Sequence, residues 1–307
     1  MRYLDLHADT LTEIAAGGLR ENDNDIDLKR IRAFCRQYVQ VFAIWKDAAK
    51  VGNREKEFYA LYSRAMELLA ECEDDILLCR RGSDLNTARE QGKSAAFLAI
   101  EDISLMGSRA GRCKELGFSF AMLTWNYENE YACGALADQS KGLTDAGREL
   151  VGELVGNSVV LDVSHLSDQG IDDLLEVSGA PVIASHSNVR SCSDHPRNLL
   201  DCHIREIIAR GGVIGMNFYR PFVGDGNAHL TQWLRHIDHV LALGGERAVA
   251  LGGDFDGCGG EFMDGIRGVQ SVRWLWQKMR QAGFAETLLE RIFFENGESF
   301  LLKQVKG

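Results

Sequence analysis

Five side chains of the kind that bind divalent metals stand directly after short apolar runs of the sequence. Imidazole nitrogens and carboxylate oxygens suit zinc and related ions. Because residues two apart in a strand face the same side, His7 and Asp9 in the motif His-x-Asp can grip one ion together. A carboxylate such as Glu101 can bridge two ions, which lie about 3.5–4 Å apart in two-metal sites. The candidate metal ligands are His7, Asp9, Glu101, His165 and His186.

Each candidate ligand also has a purely structural interpretation. Asp9 precedes two threonines, as a helix cap would, and a single histidine at a strand end is commonly a buried residue with satisfied hydrogen bonds. Glu101 follows an entirely apolar run, so it is either a cap or a functional group, because burying an unpaired carboxylate is costly. Its neighbour Asp102 is the better cap. The number of candidates favours metal binding, since packing does not explain metal-capable residues at five of eight predicted strand ends when Asp254, after the last strand, is included.

Short apolar segments alternate with amphipathic segments along the chain. The predicted strands are Tyr3–Leu6, Tyr38–Ile44, Ala95–Ile100, Phe118–Leu123, Ser158–Val163, Pro181–Ala184, Gly212–Asn217 and Ala248–Leu251, with an extra strand at Ile76–Cys79. The predicted helices are Arg54–Ala70, Thr144–Val155, Ser167–Val177, Leu200–Arg210, Thr231–Leu243, Val269–Gln281 and Ala285–Phe294. Eight such units predict an α/β fold, a (β/α)8 barrel of the TIM type with its metal site at the C-terminal ends of the strands. A doubly wound open sheet is the alternative, although no Gly-x-Gly-x-x-Gly follows the first strand.

Composition and length narrow the class of protein. The chain has 307 residues, only three prolines and no low-complexity linker, which predicts a single domain over residues 1–307. A formal charge of -11 argues against nucleic acid or an anionic membrane as the main partner. No apolar run approaches the roughly 20 residues of a membrane span, and the N-terminus does not resemble a secretory signal. The eight scattered cysteines are expected to be reduced, in a cytoplasmic protein.

Two further residues have side chains suited to handling a substrate. Arg197, in Asp-His-Pro-Arg-Asn, is either a solvated loop charge or a fork for a substrate carboxylate. Asp254, in Gly-Gly-Asp-Phe-Asp-Gly, can bind metal, orient a water or move a proton. Asp256 competes for these roles, although it can also be a turn residue.

Longer motifs surround all of these candidates. In chain order they are Asp-x-His-x-Asp-Thr, Ile-Glu-Asp, Leu-Thr-Trp-Asn, Gly-Leu-Thr-x-x-Gly, Leu-Asp-Val-Ser-His-Leu-Ser-Asp, Ala-Pro-Val-Ile-Ala-Ser-His-Ser, Asp-His-Pro-Arg-Asn, Gly-Gly-Val-Ile-Gly-Met-Asn-Phe-Tyr and Gly-Gly-Asp-Phe-Asp-Gly. From about Tyr3 to Gly257 the sequence thereby resembles the renal (membrane) dipeptidase family of zinc peptidases. The stretch Pro181–Asn198 is the most specific part of the resemblance.

The resemblance implies a distorted (β/α)8 barrel that holds two zinc ions, or other divalent metals, and hydrolyses dipeptides by attack of a metal-bridging hydroxide. It implies a homodimer and a small peptide as the binding partner. It also implies the following roles: His7, Asp9 and Glu101 on the first metal with Asp254 close by; Glu101, His165 and His186 on the second; Arg197 on the substrate's C-terminal carboxylate; Asp254 in proton transfer; and Tyr219 in the wall of the substrate pocket.

One position departs from the family and bears on the substrate. Trp125 stands where family members carry a histidine that stabilises the oxyanion. An indole N–H donates a hydrogen bond but carries no charge, and an oxyanion donor is worth about 3–4 kcal/mol. A metal, Asn126 or Tyr127 is expected to compensate. Two alternatives stay open: another metal-dependent hydrolase of amides or lactones, although those often carry His-x-His and a bridging lysine, and a non-catalytic metal-binding barrel.

Overall fold

The computed structural model describes residues 1–224, 226 and 228–306. The strands are β1 (Arg2–Ala8), β2 (Gln37–Trp45), β3 (Ile76–Leu78), β4 (Ser94–Glu101), β5 (Phe118–Met122), β6 (Val160–Asp162), β7 (Ile183–Ala184), β8 (Val213–Met216) and β9 (Val249–Leu251). The α-helices are α1 (Thr10–Glu13), α2 (Leu28–Arg32), α3 (Arg54–Ala70), α4 (Asp84–Glu90), α5 (Asp145–Gly156), α6 (Asp168–Val177), α7 (Asp201–Ala209), α8 (Arg220–Val223), α9 (Leu230–Ala242), α10 (Val272–Gln281), α11 (Glu286–Glu290) and α12 (Asn296–Gln304). Segments of 3₁₀ helix lie at Ala48–Lys50, Ile103–Leu116, Gly245–Arg247 and Val269–Ser271, and a π-helical turn lies at Arg291–Glu295.

Eight of the strands in the described part of the chain form a nearly closed parallel barrel, in the order β1-β2-β4-β5-β6-β7-β8-β9. Every neighbouring pair in this order is parallel. The predicted α/β barrel is therefore confirmed, and the open doubly wound sheet is not formed. Since all the strands run in one direction, their C-terminal ends meet at one rim, where active sites of such barrels lie.

The predicted extra strand distorts this barrel. β3 pairs with the first residues of β4, from Ser94 to Ala96. β5 pairs with the same edge of β4 only from Leu98 onward. β3 and β5 thus share one edge of β4, with β3 toward its N-terminal end.

A buried carboxylate connects the first strand of the barrel to the loop after the last strand. Asp5 in β1 accepts hydrogen bonds from the backbone N–H groups of His7 and Gly253, and from the hydroxyl of Tyr3. Just above it, the N–H of Asp9 donates to the carbonyl of Phe255 at 2.9 Å. These bonds bring the loop after β9 against the end of β1, which is where two of the candidate ligands stand.

The core has two layers. Inside the barrel, alternate side chains of β1, β2 and β4 pack together with Phe300 and Leu301 of α12. A larger layer lies between the sheet and the surrounding helices. Within the described residues, every helix is too short or too polar to cross a bilayer.

The observed elements follow the predicted ones, with shorter strands on one side of the barrel. The sixth predicted strand, Pro181–Ala184, is reduced to Ile183–Ala184, and the helices α1, α2, α4, α8 and α12 are absent from the prediction. The predicted helix Thr144–Val155 begins one residue later, because the Thr144 side chain caps α5 by accepting from the N–H of Gly147. The assignment of residues 1–307 to a single domain stays a prediction, and residues 225, 227 and 307 lie outside the described part of the chain.

Candidate metal centre and substrate cavity

The alternation of β4 delivers Glu101 to the mouth of the barrel. Ala95, Phe97 and Ala99 all belong to the inner core. Because side chains alternate along a strand, the next residue on that face is Glu101, which is 4% exposed. The same alternation along the neighbouring strand β2 brings Trp45, paired in register with Glu101, to the same rim.

A register irregularity brings His7 and Asp9 to the same place. Leu4 and Leu6 belong to the inner core, whereas Ala8 belongs to the outer layer. The pairing of β1 with β2 shifts between Asp5 and Ala8, so the side chains change faces there. His7 is fully buried and Asp9 is 3% exposed. Asp9 occupies the position before α1 without any side-chain capping bond, so its structural interpretation as a cap is wrong.

The two histidines of the neighbouring strands are fixed by hydrogen bonds to their Nδ1 atoms. His165 Nδ1 lies 2.8 Å from Asn126 Oδ1, an acceptor, which places the ring proton on Nδ1. His186 Nδ1 lies 2.8 Å from the hydroxyl of Ser185. Both rings therefore present Nε2 to the interior, which is the arrangement found for histidines that ligate metals.

Two groups of potential metal-ligand atoms meet at Glu101. One oxygen of this carboxylate, Oε2, lies 3.1 Å from His7 Nε2, and the other, Oε1, lies 2.7 Å from His165 Nε2. His165 Nε2 is also 2.8 Å from His186 Nε2, and Asp9 Oδ2 is 3.5 Å from His7 Nε2. The ligand atoms of His7, Asp9 and Glu101 lie within 4.8 Å of one another, as do those of Glu101, His165 and His186. Glu101 is common to both groups.

Burial keeps the side chains of His165 and His186 neutral. Burial, with a contribution from the positive charge of Arg197, lowers the pKa of His165 to about 3. Burial and the charge of His7 lower the pKa of His186 well below its usual value. A neutral imidazole has the free lone pair that a metal ion requires.

The carboxylates respond in opposite directions to their surroundings. Burial would raise the pKa of Glu101, but His7 and His165 outweigh it and hold that pKa far below its usual range. Burial and the negative charge of Glu101 raise the pKa of Asp9 well above its usual value. Two buried carboxylates this close repel each other when both are ionised, and a cation between them relieves that repulsion.

The donor set fits divalent cations on a further observation. His7 Nε2 and Asp9 Oδ1 are buried atoms that have no hydrogen-bond partner in the described part of the chain. Buried polar groups are almost always paired with protein, water or ions. Nitrogen and oxygen donors grouped around a shared carboxylate are the chemistry that zinc and related ions take.

Asp254 stands at the edge of this cluster, at a strained backbone position. Its φ is 57°, in the left-handed region that costs a non-glycine residue about 1–2 kcal/mol. Asn217 donates to its Oδ2 at 3.1 Å, and Oδ1 lies 3.9 Å from His7 Nε2. A Cβ on Gly257 would overlap the carboxylates of both Asp9 and Asp254, so glycine is required there. Asp256, the competing candidate, instead accepts from Thr10 and from the N–H of Asp25.

Arg197 is a buried guanidinium that forms no ion pair with a carboxylate of the described residues. It is 4% exposed, and its Nε and Nη2 atoms have no hydrogen-bond partner among the described residues. Its Cζ atom lies 5.3 Å from the centroid of the Phe222 ring. Burial lowers the pKa of Arg197 to about 10, which leaves it charged at neutral pH. The interpretation of Arg197 as a solvated loop charge is therefore wrong.

The candidate residues open onto one cavity of about 160 Å³. It is lined by seven of the predicted site residues: Asp9, Glu101, Trp125, His165, Arg197, Tyr219 and Asp254. His7 and His186 lie beneath it, with ring centroids 3.9 Å apart. The cavity also includes Trp45, Asn126, Phe222 and Cys258, of which Phe222 and Cys258 carry no signal in the sequence as functional residues. Asn126 contacts His165 through its side-chain oxygen, which accepts from His165 Nδ1.

A parallel barrel with a buried cluster of imidazoles and carboxylates at its C-terminal rim defines the class of metal-dependent hydrolases. Residues 1–299 match the family model described as membrane dipeptidase, peptidase family M19. The chain belongs to this family. It is therefore a metal-dependent dipeptidase, a hydrolase of peptide bonds.

Individual relatives agree with this assignment. An uncharacterized protein from the pqqA 5′ region of Klebsiella pneumoniae is 30% identical over 247 residues, which cover 75% of this chain and 89% of the relative. The chain spans about half the length of two uncharacterized dipeptidases of Schizosaccharomyces pombe.

Two crystal structures share the fold. One is a metallopeptidase described as dipeptidase AC, with a TM-score of 0.88 at 24% identity over 100% of this chain and 99% of that one. The other is a metallopeptidase from Rhodobacter sphaeroides liganded with a phosphinate mimic of L-Ala-D-Ala, with a TM-score of 0.85 at 23% identity and the same coverage.

Proposed function

We propose that this chain is a di-zinc dipeptidase that cleaves dipeptides with a free C-terminal carboxylate. One observation carries the proposal: a single cavity brings together Glu101, a buried carboxylate between two groups of ligand atoms, and Arg197, whose buried Nε and Nη2 atoms have no hydrogen-bond partner among the described residues. The first arrangement is suited to a pair of cations and the second to a small anionic substrate. A phosphinate mimic of a dipeptide is the ligand named for the related Rhodobacter sphaeroides enzyme.

Each metal would have its own ligands and one shared ligand. His7, Asp9 and Glu101 would hold one ion, and Glu101, His165 and His186 would hold the other. Zinc fits these donors, and other divalent metals remain compatible with them. When bound, such ions polarise a peptide carbonyl and lower the pKa of a water molecule toward neutrality.

The remaining roles belong to side chains of the cavity. Arg197 would bind the substrate's carboxylate through its unpaired Nε and Nη2 atoms, which restricts the enzyme to very short peptides. Asp254 would accept a proton on Oδ1 and pass it to the leaving amine, since Asn217 occupies Oδ2. Tyr219 would line the pocket on the side of Phe222, whose ring centroid lies 4.8 Å from its own.

Trp125 supports a second candidate function. Its ring lies 6.0 Å from the His165 ring, and no charge-bearing donor replaces the family's histidine at that position. A lactone or an activated amide depends less on an oxyanion donor, because its carbonyl is more reactive than that of a peptide bond, and it is the alternative substrate class. A non-catalytic role is disfavoured, because a scaffold has no need of five converging ligands.

The test is an assay of the purified protein on a panel of dipeptides, amides and lactones. Dipeptide cleavage that disappears on metal removal and returns with zinc supports the proposal. Full turnover after exhaustive removal of metal would contradict it, and turnover of lactones or simple amides alone would favour the second candidate. A homodimer in the cytoplasm is proposed from the sequence only, and sedimentation of the purified protein tests the dimer.

A further inference from the structure

Two indole rings form one wall of the cavity, which we call the tryptophan wall (Trp45 and Trp125). Their ring centroids lie 5.0 Å apart at an interplanar angle of 52°. The Tyr127 ring meets the edge of Trp125 at 5.6 Å and is 52% exposed, so it continues the wall outward. The indole N–H of Trp45 is buried and has no hydrogen-bond partner among the described residues. Trp45 therefore presents ring carbon to a ligand.

The barrel order places this wall across the mouth from the substrate-anchoring side chains. In a ring of eight strands, β2 stands opposite β7, and β5 stands opposite β9. Trp45 ends β2 and Trp125 follows β5, whereas Arg197 follows β7 and Asp254 follows β9. Glu101, at the end of β4, stands between the two tryptophans.

A dipeptide anchored at Arg197 has its C-terminal residue beside Phe222 and Tyr219, which lie on that side of the mouth. With its peptide bond over Glu101, the other residue is directed toward the tryptophan wall. Among the described lining residues, the acidic groups are Asp9, Glu101 and Asp254, all of which belong to the metal centre or its edge. No further carboxylate is available there to pair with a basic side chain.

We infer that the tryptophan wall is the subsite for the side chain of the substrate's N-terminal residue and that it selects large apolar or aromatic side chains. The inference rests on the proposed dipeptidase function. An aromatic side chain buries about 150–250 Å² and gains further from tilted ring contacts. Differences of this kind in an apolar pocket are worth roughly 10–200-fold in kcat/KM. Trp125 thus changes the substrate range of the enzyme, as well as removing an oxyanion donor.

The experiment compares kcat/KM for the X-Ala series, with X as Gly, Leu, Phe, Lys or Glu, on the zinc-loaded enzyme. We expect Phe-Ala and Leu-Ala to exceed Gly-Ala by about tenfold or more, and Lys-Ala and Glu-Ala to stay near Gly-Ala. Trp125→Ala should reduce the Phe-Ala to Gly-Ala ratio to within about threefold. Trp276→Ala is the matched control, since that half-buried indole packs on Phe293, away from the cavity, and it should leave the ratio unchanged.

Trp125→His is a second variant in case Trp125→Ala does not fold, and it should lower the same ratio. Equal kcat/KM across X in the wild type, or a preference for Lys-Ala, overturns the inference while leaving the dipeptidase function intact. An unchanged ratio in both folded variants also overturns it. Failure to cleave any dipeptide overturns the inference and the proposed function together.

Discussion

Replacing Arg197 by methionine should make the protein more stable and a poorer dipeptidase at the same time. The guanidinium is buried, and two of its nitrogens have no hydrogen-bond partner within the described residues. A group that burial penalises in the free enzyme, and that a substrate carboxylate would satisfy, should show opposite effects on stability and activity. If Arg197 had only a structural role, its replacement would lower both the stability and the activity of the protein.

The magnitude of the stability effect follows from the pKa. Burial lowers the pKa of Arg197 from its usual value to about 10, which corresponds to about 3 kcal/mol of unfavourable free energy for the charged form. Both the folded and the unfolded pKa lie above neutrality, so this cost is present in full at pH 7. It is relieved only as the pH rises through 10 toward the usual pKa of an arginine. Arg197→Met should therefore raise Tm by roughly 4–8 °C at pH 7.

The activity should fall because a buried charge pair with the substrate is lost. Truncating one partner of such a pair typically costs about 2–5 kcal/mol, so kcat/KM on a free dipeptide should fall by roughly 30–5,000-fold. The assay compares a free dipeptide with its C-terminally amidated form, on which the variant should lose little.

Arg190→Met is the matched control in the same loop, because Arg190 is fully paired. It donates to Asp168 at 3.0 and 3.2 Å and to the carbonyls of Pro196 and Asn198. It should lower Tm and leave the ratio of free to amidated substrate unchanged. Equal losses on free and amidated substrates in Arg197→Met, or a fall in its Tm, would refute the assignment of Arg197 to the carboxylate.

Three more changes have expected outcomes that follow from single contacts. Burial and the nearby Asp256 raise the pKa of Asp25 to about 6. Because this pKa is higher in the folded than in the unfolded protein, the ionised Asp25 destabilises the fold above pH 6. In chemical denaturation, Asp25→Asn should therefore raise the free energy of unfolding by about 1–2 kcal/mol at pH 7.5 and by progressively less below pH 6. A Cβ on Gly252 would overlap the backbone of Ser185, so Gly252→Ala should lower the free energy of unfolding by about 1–3 kcal/mol or more. Gly152 in α5 has open space around it, so Gly152→Ala should raise the free energy of unfolding by about 0.5–1 kcal/mol, and equal effects of the two changes would contradict the packing. Asn126→Ala removes the partner of His165 Nδ1 and should weaken zinc binding by about 10–100-fold in competition with a chelator, an expectation that unchanged affinity would refute.

The barrel could be predicted from the sequence because each strand has its own local pattern of apolar residues. The C-terminal helix α12 could not be predicted in this way. α12 begins with Asn296 and Gly297, which resemble a turn rather than a helix start. Gly297 is needed because a Cβ there would overlap the side chain of Leu4. Phe300 and Leu301 then pack into the inner core. This helix forms because of its packing against β1, and packing partners distant in sequence leave no local pattern.

The convergence of the candidate ligands could also be predicted, because metal chemistry restricts the residue types and the barrel restricts where they stand. The contacts that orient them could not. The bond between Asn126 and His165 depends on the loop after β5, and the left-handed φ of 73° at His165 has no sequence signal. The tryptophan wall likewise depends on two strands separated by β4. Contacts across a rim are set by tertiary geometry, whereas residue types at strand ends are set locally.

In the proposed site two cations share Glu101, and the metal content of the protein tests this most directly. Zinc-loaded protein, dialysed to equilibrium and measured by plasma mass spectrometry, should hold about two zinc ions per chain. Glu101→Ala should lose both at the same free zinc concentration, while Asp256→Ala, outside the cluster, should keep both. Less than about one ion per chain in the wild type, or full occupancy in Glu101→Ala, would contradict the account.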